Sequence, residues 1–167
     1  MFDLDDLYQE IILDHNKHPR NFGHLAGATH RAEGYNPLCG DQVKVELRVE
    51  DGMVTGAAFE GQGCAISQAS ASVMTEALTG QSLAEAERIF GRMIALLTGE
   101  AEDPGDLLAE LGSAAAFAGV RDYPSRVKCA SLAWHAMHQA LAEGPIEGRT
   151  DDPAGGPAGT PAAEPGA

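Results

Sequence analysis

Gln42-Val43-Lys44-Val45-Glu46-Leu47-Arg48-Val49-Glu50-Asp51-Gly52-Met53 is the run of sequence on which the fold turns. Val43, Val45, Leu47 and Val49 alternate with charged or amide side chains, which is the two-residue period of a strand with one buried face. Asp51-Gly52 then supplies the positive-φ pair of a tight hairpin turn, so a second strand is expected from Met53 to about Gln62. If the turn has two residues and no bulge intervenes, Glu50 faces Met53 and, counting on, Cys39 faces Cys64.

Toward the N-terminus, Leu4, Leu7, Tyr8, Ile11, Ile12 and His15 recur at helical spacing until Pro19, which predicts a first helix over about 4 to 16. A loop rich in His, Gly and Asn separates it from the strand. Toward the C-terminus the period is helical. Residues 65 to 79 carry Ile66, Ala69, Val73 and Ala77 on one face and end at Gly80. Ser82 with Glu85 forms a capping box for a helix with Leu83, Ala86, Phe90, Met93, Ile94 and Leu97 inward, closed by Gly99. Asp103-Pro104 suits the start of a short helix bearing Leu107, Leu108 and Leu111, and an Ala-rich stretch follows from 114 to 118. Pro124 lies near the start of a last helix to about Ala142, with Ala130, Ala133, Trp134, Met137 and Leu141 as its buried stripe. The expectation is an α+β domain: a small antiparallel sheet, the hairpin plus a third strand, packed against several helices.

That domain spans residues 1–143 of the 167, enough to bury a core without disulfide staples. Residues 144–167 hold five of the nine prolines and six glycines with almost no large apolar side chain, so this tail is expected to be disordered. The acidic start and the absence of a run of about 18 apolar residues predict a cytoplasmic protein that does not enter a membrane. Net charge is −14, of which the tail contributes −3 (Glu147, Asp151, Asp152 and Glu164 against Arg149), leaving −11 on the body. Such a field repels nucleic acid and anionic membranes and attracts a basic protein surface, unless it serves solubility alone.

Three cysteines without an export signal favour metal binding or reactive thiols over a disulfide framework. Facing residues of a hairpin have Cβ atoms about 4.5 to 5.5 Å apart, close enough for Cys39 and Cys64 to reach one zinc ion. Asp41, two residues on, shares the side of Cys39, and Gly40 lets the backbone bend between them. Cys129 lies on the stripe of Ala133 and Met137, aimed at whatever the last helix packs against. Three thiolates and a carboxylate suit tetrahedral zinc, and the carboxylate, the harder donor, is the one suited to exchange. Arg126 and Lys128 beside Cys129 are either counter-charges to such a site or ordinary surface cations.

Other groups are weaker candidates. His15 with His18 and His135 with His138 have i, i+3 spacing but no third ligand in sequence reach. Gly61-Gln62-Gly63 precedes a helix but lacks the lysine of a phosphate loop, and Ser67, Ser70 and Ser72 read as packing.

Leu7-Tyr8, Ile11-Ile12-Leu13-Asp14-His15, Pro19-Arg20-Asn21-Phe22-Gly23, Asn36-Pro37-Leu38-Cys39-Gly40-Asp41, Phe59-Glu60-Gly61-Gln62-Gly63-Cys64-Ala65-Ile66-Ser67 and Arg126-Val127-Lys128-Cys129 occur in order. Together they resemble SufU, the zinc-bound relatives of the IscU scaffold, over about residues 4 to 142. The resemblance implies a compact α+β fold and Zn2+ at Cys39, Asp41, Cys64 and Cys129. It also implies transfer of persulfide sulfur from a SufS-type, pyridoxal-phosphate-dependent cysteine desulfurase toward a downstream iron-sulfur assembly scaffold. Cys39 matches the family's sulfur acceptor, and a histidine of the desulfurase is thought to take its place on zinc. The IscU scaffold has His immediately before its last cysteine where this chain has Lys128, and SufU has an extra segment that residues 98 to 119 supply. Two alternatives stand beside transfer: a scaffold on which a cluster is built, and a structural zinc protein.

Overall fold

The computed structural model describes residues 4–100 and 111–146. Three antiparallel strands, β1 (His30–Asn36), β2 (Asp41–Glu50) and β3 (Met53–Gln62), form one sheet in the order β1-β2-β3. Around it lie α1 (Leu4–Lys17), α2 (Ala65–Leu78), α3 (Leu83–Thr98), a 3-10 segment (Gly112–Asp122) and α4 (Pro124–Glu143). The α+β class and the mixed sheet-and-helix packing are those the sequence predicts. The short helix expected after Pro104 lies outside the described residues, as does the tail beyond Ile146. Up to that point the chain stays on the body, where the Ile146 amide donates to the Thr29 carbonyl at 2.7 Å. No described helix is long and apolar enough to cross a membrane.

The hairpin turn forms as its residues dictate, with Asp51 at φ 52° and Gly52 at φ 76°. The predicted register fails after two pairs. Glu50 faces Met53 and Val49 faces Val54, but Arg48 then faces Gly56, so Thr55 is an extra residue in β3. Arg48 builds this bulge: its Nε donates to Thr55 Oγ1 (3.0 Å), one Nη to the Thr55 carbonyl (3.1 Å) and the other to the Ala26 carbonyl (3.1 Å). The slip carries to the far end, where Gln42 faces Gln62. Cys39 therefore does not face Cys64; it lies in the turn from β1 to β2, with Asn36 facing Asp41 across it.

The third strand is β1, in a segment whose His, Gly and Asn content reads as loop. Its helix-facing positions are His30, Ala32, Gly34 and Asn36. A Cβ on Gly34 would stand 3.0 Å from Leu132, so the glycine makes room for α4 on the sheet. Glu46, an outward position of β2, is covered all the same: it accepts from the Leu25 amide (3.0 Å) and Arg31 (3.1 Å) and meets His24 at 3.0 Å. Burial alone would raise the Glu46 pKa, but these partners outweigh it and hold the carboxyl below its ordinary range.

Helices α2 and α4 cover the inner face through Ala69, Val73, Ala130, Ala133 and Met137. Trp134 is fully buried between them, its Nε1 donating to Ser70 Oγ at 3.0 Å while Ser70 donates to the Ala130 carbonyl at 2.6 Å. Half of the expected capping box opens α3: Ser82 accepts from the Glu85 amide at 3.1 Å, while the Glu85 carboxylate takes Arg88 Nε at 2.6 Å in place of the Ser82 amide, and Gly99 ends the helix at φ 82°. Of its predicted inward residues Ala86, Met93 and Leu97 are buried, joined by Ile89 and Leu96, whereas Leu83 stays exposed and half-buried Phe90 stacks on His138 at 4.3 Å.

His15, a weak metal candidate in sequence, joins α1 to α2 instead. It is buried, 2.7 Å from Ser72 Oγ and 3.5 Å from Glu76. Burial, then the Arg20 charge, holds it below the ordinary imidazole value of 6.5, against Glu76 and Asp14. The unfolded chain then binds the proton more readily, so stability rises as pH climbs from the folded-state value toward the unfolded one and is level above it. Denaturant unfolding of the wild type and His15→Gln between about pH 5 and 8 is expected to show the wild type gaining relative stability with pH and levelling off above about pH 7.

Candidate metal centre

The site forms where the sheet ends and two helices begin. β1 stops at Asn36, and the turn through Pro37, Leu38, Cys39 and Gly40 returns the chain at Asp41. Gly40 takes φ 74° with open space around it. Asn36 shapes the turn: its carbonyl accepts from the Gly40 amide (2.8 Å) and the Cys39 amide (3.3 Å), and its side-chain oxygen accepts from the Leu38 amide (3.2 Å). Cys39 is left exposed, beside Leu38 at 74% exposure.

Asp41 opens β2 on the helix-facing side and is 1% exposed. Its Oδ1 accepts the Cys64 amide at 3.0 Å, and its Oδ2 lies 4.0 Å from Cys64 Sγ. This contact depends on Gly63, where a Cβ would stand 2.5 Å from Asp41 Oδ1; one on Gly61 would likewise run into the β2 backbone at Gln42. The Gly61-Gln62-Gly63 motif therefore serves close approach of β3 to β2. Cys64 is the N-cap of α2, its sulfur accepting from the Ser67 amide at 3.4 Å. Cys129, in the second turn of α4, is 4% exposed and lies 3.7 Å from Cys39 sulfur to sulfur.

Ligand atoms of Cys39, Asp41 and Cys129 all lie within 4.8 Å of one another. Cys64 stands at the margin of this trio, touching Asp41. Of the supporting cations, Arg126 lies over the Tyr123 ring at 5.4 Å, and Lys128 is exposed. His135 and His138 flank Phe90, and His138 meets Glu87 at 3.1 Å. Asn36 is the residue that sequence reasoning passed over. It is 7% exposed, and its Nδ2 is the one buried side-chain nitrogen or oxygen among the described residues without a hydrogen-bond partner. Such a donor costs about 1–3 kcal/mol when left unpaired.

The residues fit a thiophilic metal. Arms of about 2.3 Å to a tetrahedral zinc separate two sulfurs by about 3.8 Å, and Cys39 and Cys129 are 3.7 Å apart. Electrostatics points the same way. Burial, then Asp41, Cys64 and Cys39, raises the Cys129 pKa far above the usual thiol range, so a cation is what allows these donors to share one space as anions.

The chain matches the family model of the NifU-like N-terminal domain over residues 7–130 and belongs to that family. It is similar to the zinc-dependent sulfurtransferase SufU of Bacillus subtilis, at 38% identity over 84% of this chain and 92% of that protein. It is as similar to the iron-sulfur cluster assembly scaffold protein IscU of Thermotoga maritima, at 40% identity over 81% of this chain and 92% of that one. The crystal structure of FiSufU from Fervidobacterium islandicum AW-1 superimposes with a TM-score of 0.73 at 34% identity, covering 83% of this chain and 99% of that one. The protein is thus of the SufU and IscU iron-sulfur cluster assembly group.

Gly63→Ala is expected to push the Asp41 carboxylate aside and weaken metal retention about 10- to 100-fold in competition with a chelator. Gly91→Ala, on α3 with nothing within 4 Å, is the control. It is expected to leave retention unchanged and stabilise the helix by up to about 1 kcal/mol.

Proposed function

We propose that the protein is a zinc-dependent sulfurtransferase: it accepts persulfide sulfur from a SufS-type cysteine desulfurase on Cys39 and passes it to a downstream iron-sulfur assembly scaffold in the cytoplasm. Cys39, Asp41, Cys64 and Cys129 hold the zinc. The observation that carries this is the contrast within the trio. Asp41 and Cys129 are buried on β2 and α4, whereas Cys39 is exposed on a turn whose Gly40 meets nothing. Cys64, also exposed, is tied down as the cap of α2. A donor that must leave the metal and meet a partner is best carried on such a turn.

Zinc supplies a deprotonated but muted thiolate, held ready without being consumed by stray electrophiles. Once Cys39 swings out, its thiolate attacks the terminal sulfur of the desulfurase persulfide. The new S–S bond forms on Cys39, the donor's S–S bond breaks, and the donor cysteine leaves as thiolate. The transferred sulfur keeps its proton or loses it to water. Asp41, Cys64 and Cys129 would be the residues left to hold the metal meanwhile.

The scaffold reading draws support from the IscU-named relative at 40% identity. Lys128, where the scaffold's pattern has histidine, favours transfer. Iron in place of zinc with a stable visible cluster absorbance in the isolated protein would favour the scaffold. Alanine release by the desulfurase, measured with and without this protein, separates transfer from a passive metal protein, because only a sulfur acceptor accelerates turnover. Cys39→Ser is expected to abolish both the acceleration and the added sulfur seen by mass spectrometry. Asp41→Ala is expected chiefly to lower zinc content. Sulfur found on Cys64 or Cys129, with Cys39→Ser still active, would contradict the assignment.

A further inference from the structure

We propose that Asn36 is a positioning residue for sulfur transfer, its side-chain N–H reserved for the sulfur anion that Cys39 carries; this rests on Cys39 being the sulfur acceptor. Three observations place the donor. The Asn36 side-chain oxygen is committed to the Leu38 amide at 3.2 Å, which fixes which end of the carboxamide is nitrogen. The nitrogen is buried and has no partner, whereas other buried side-chain polar atoms among the described residues have one. The register sets Asn36 opposite Asp41, and facing residues of an antiparallel pair project from the same side of the sheet. That is the side on which the Asp41 carboxylate and the Cys129 sulfur lie.

The acceptors gathered at that end of the sheet are the Asp41 carboxylate and the cysteine sulfurs. Asp41 Oδ1 already takes the Cys64 amide, and Cys64 Sγ already takes the Ser67 amide. Of the others, Cys39 is the one on the turn that Asn36 itself shapes through its carbonyl, three residues along, and the one whose sulfur gains charge on loading. In transfer, the Cys39 thiolate bonds to the incoming sulfur and the donor thiolate departs, so net negative charge on the Cys39 side ends on the terminal sulfur once its proton goes to water. A donor fixed to the same turn follows that charge. Hydrogen bonds to ionised acceptors are the strong ones, so the unpaired N–H holds the persulfide anion against the body and out of water.

Asn36→Leu removes the donor at similar volume and, unlike Asn36→Asp, adds no negative charge facing Asp41. In the full chain, Cys39 persulfide is measured by mass spectrometry after loading by two routes: the desulfurase with cysteine, and inorganic polysulfide. By either route the variant is expected to hold about tenfold less Cys39 persulfide than the wild type, with zinc content and melting temperature recorded beside it. Equal persulfide on both proteins from polysulfide overturns the proposal. If polysulfide distinguishes them but the wild type takes no sulfur from the desulfurase, Asn36 stands and the proposed partner falls. If the variant does not fold, wild-type protein decides: the Asn36 side-chain amide protons should move downfield in NMR when polysulfide loads Cys39, and an unmoved signal overturns the proposal.

Discussion

The buried carboxylate of Asp41 is the contact on which the site depends. It accepts the Cys64 amide at the start of α2, faces Asn36 at the end of β1, and lies within a few ångströms of sulfurs from the turn and from α4. Two pieces of chain distant in sequence, the start of α2 and the body of α4, meet the β1–β2 turn around one acceptor. Glycine at 63 is the condition for it, because any side chain there would occupy the carboxylate's place. A buried acid among thiols is costly unless it is paired or bound to a cation, so the arrangement that closes the sheet end also suits a metal ion.

What the sequence discloses follows from how local each determinant is. The Asp51-Gly52 turn, the Ser82 cap and the Gly99 stop are set by the conformational needs of a few residues, and all three form as expected. The Thr55 bulge is not local. It depends on Arg48 spanning to Ala26 and Thr55, contacts that exist only once the loop before β1 has folded over the sheet. β1 escapes the period test for a similar reason: Gly34 sits where an apolar residue would mark the buried face, because Leu132 of α4 fills that space. The altered burial along α3, with Leu83 left outside, reflects packing against the 3-10 segment and α4, which a single helix does not encode.

The sequence offers the candidate donors but not their geometry, and the ligand atoms that come together are those of Cys39, Asp41 and Cys129. An unbulged hairpin would have brought Cys39 and Cys64 together as partners; the slipped register brings Asp41 to Cys64 instead and leaves Cys39 on the β1–β2 turn beside Cys129. The difference matters chemically. A cysteine locked in a ladder opposite another would be a poor candidate to leave, whereas one on an exposed turn hinged at Gly40 is free to exchange. Asn36 was passed over because an unpaired amide is visible only once every neighbour's partner is known.

Zinc K-edge X-ray absorption on the protein as isolated tests the ligand set most directly. The expected result is one zinc per chain with three sulfurs at about 2.3 Å and one lighter atom at about 2.0 to 2.2 Å, the lighter atom lost in Asp41→Ala. Two or fewer sulfurs, or iron in place of zinc with visible cluster absorbance, would contradict it.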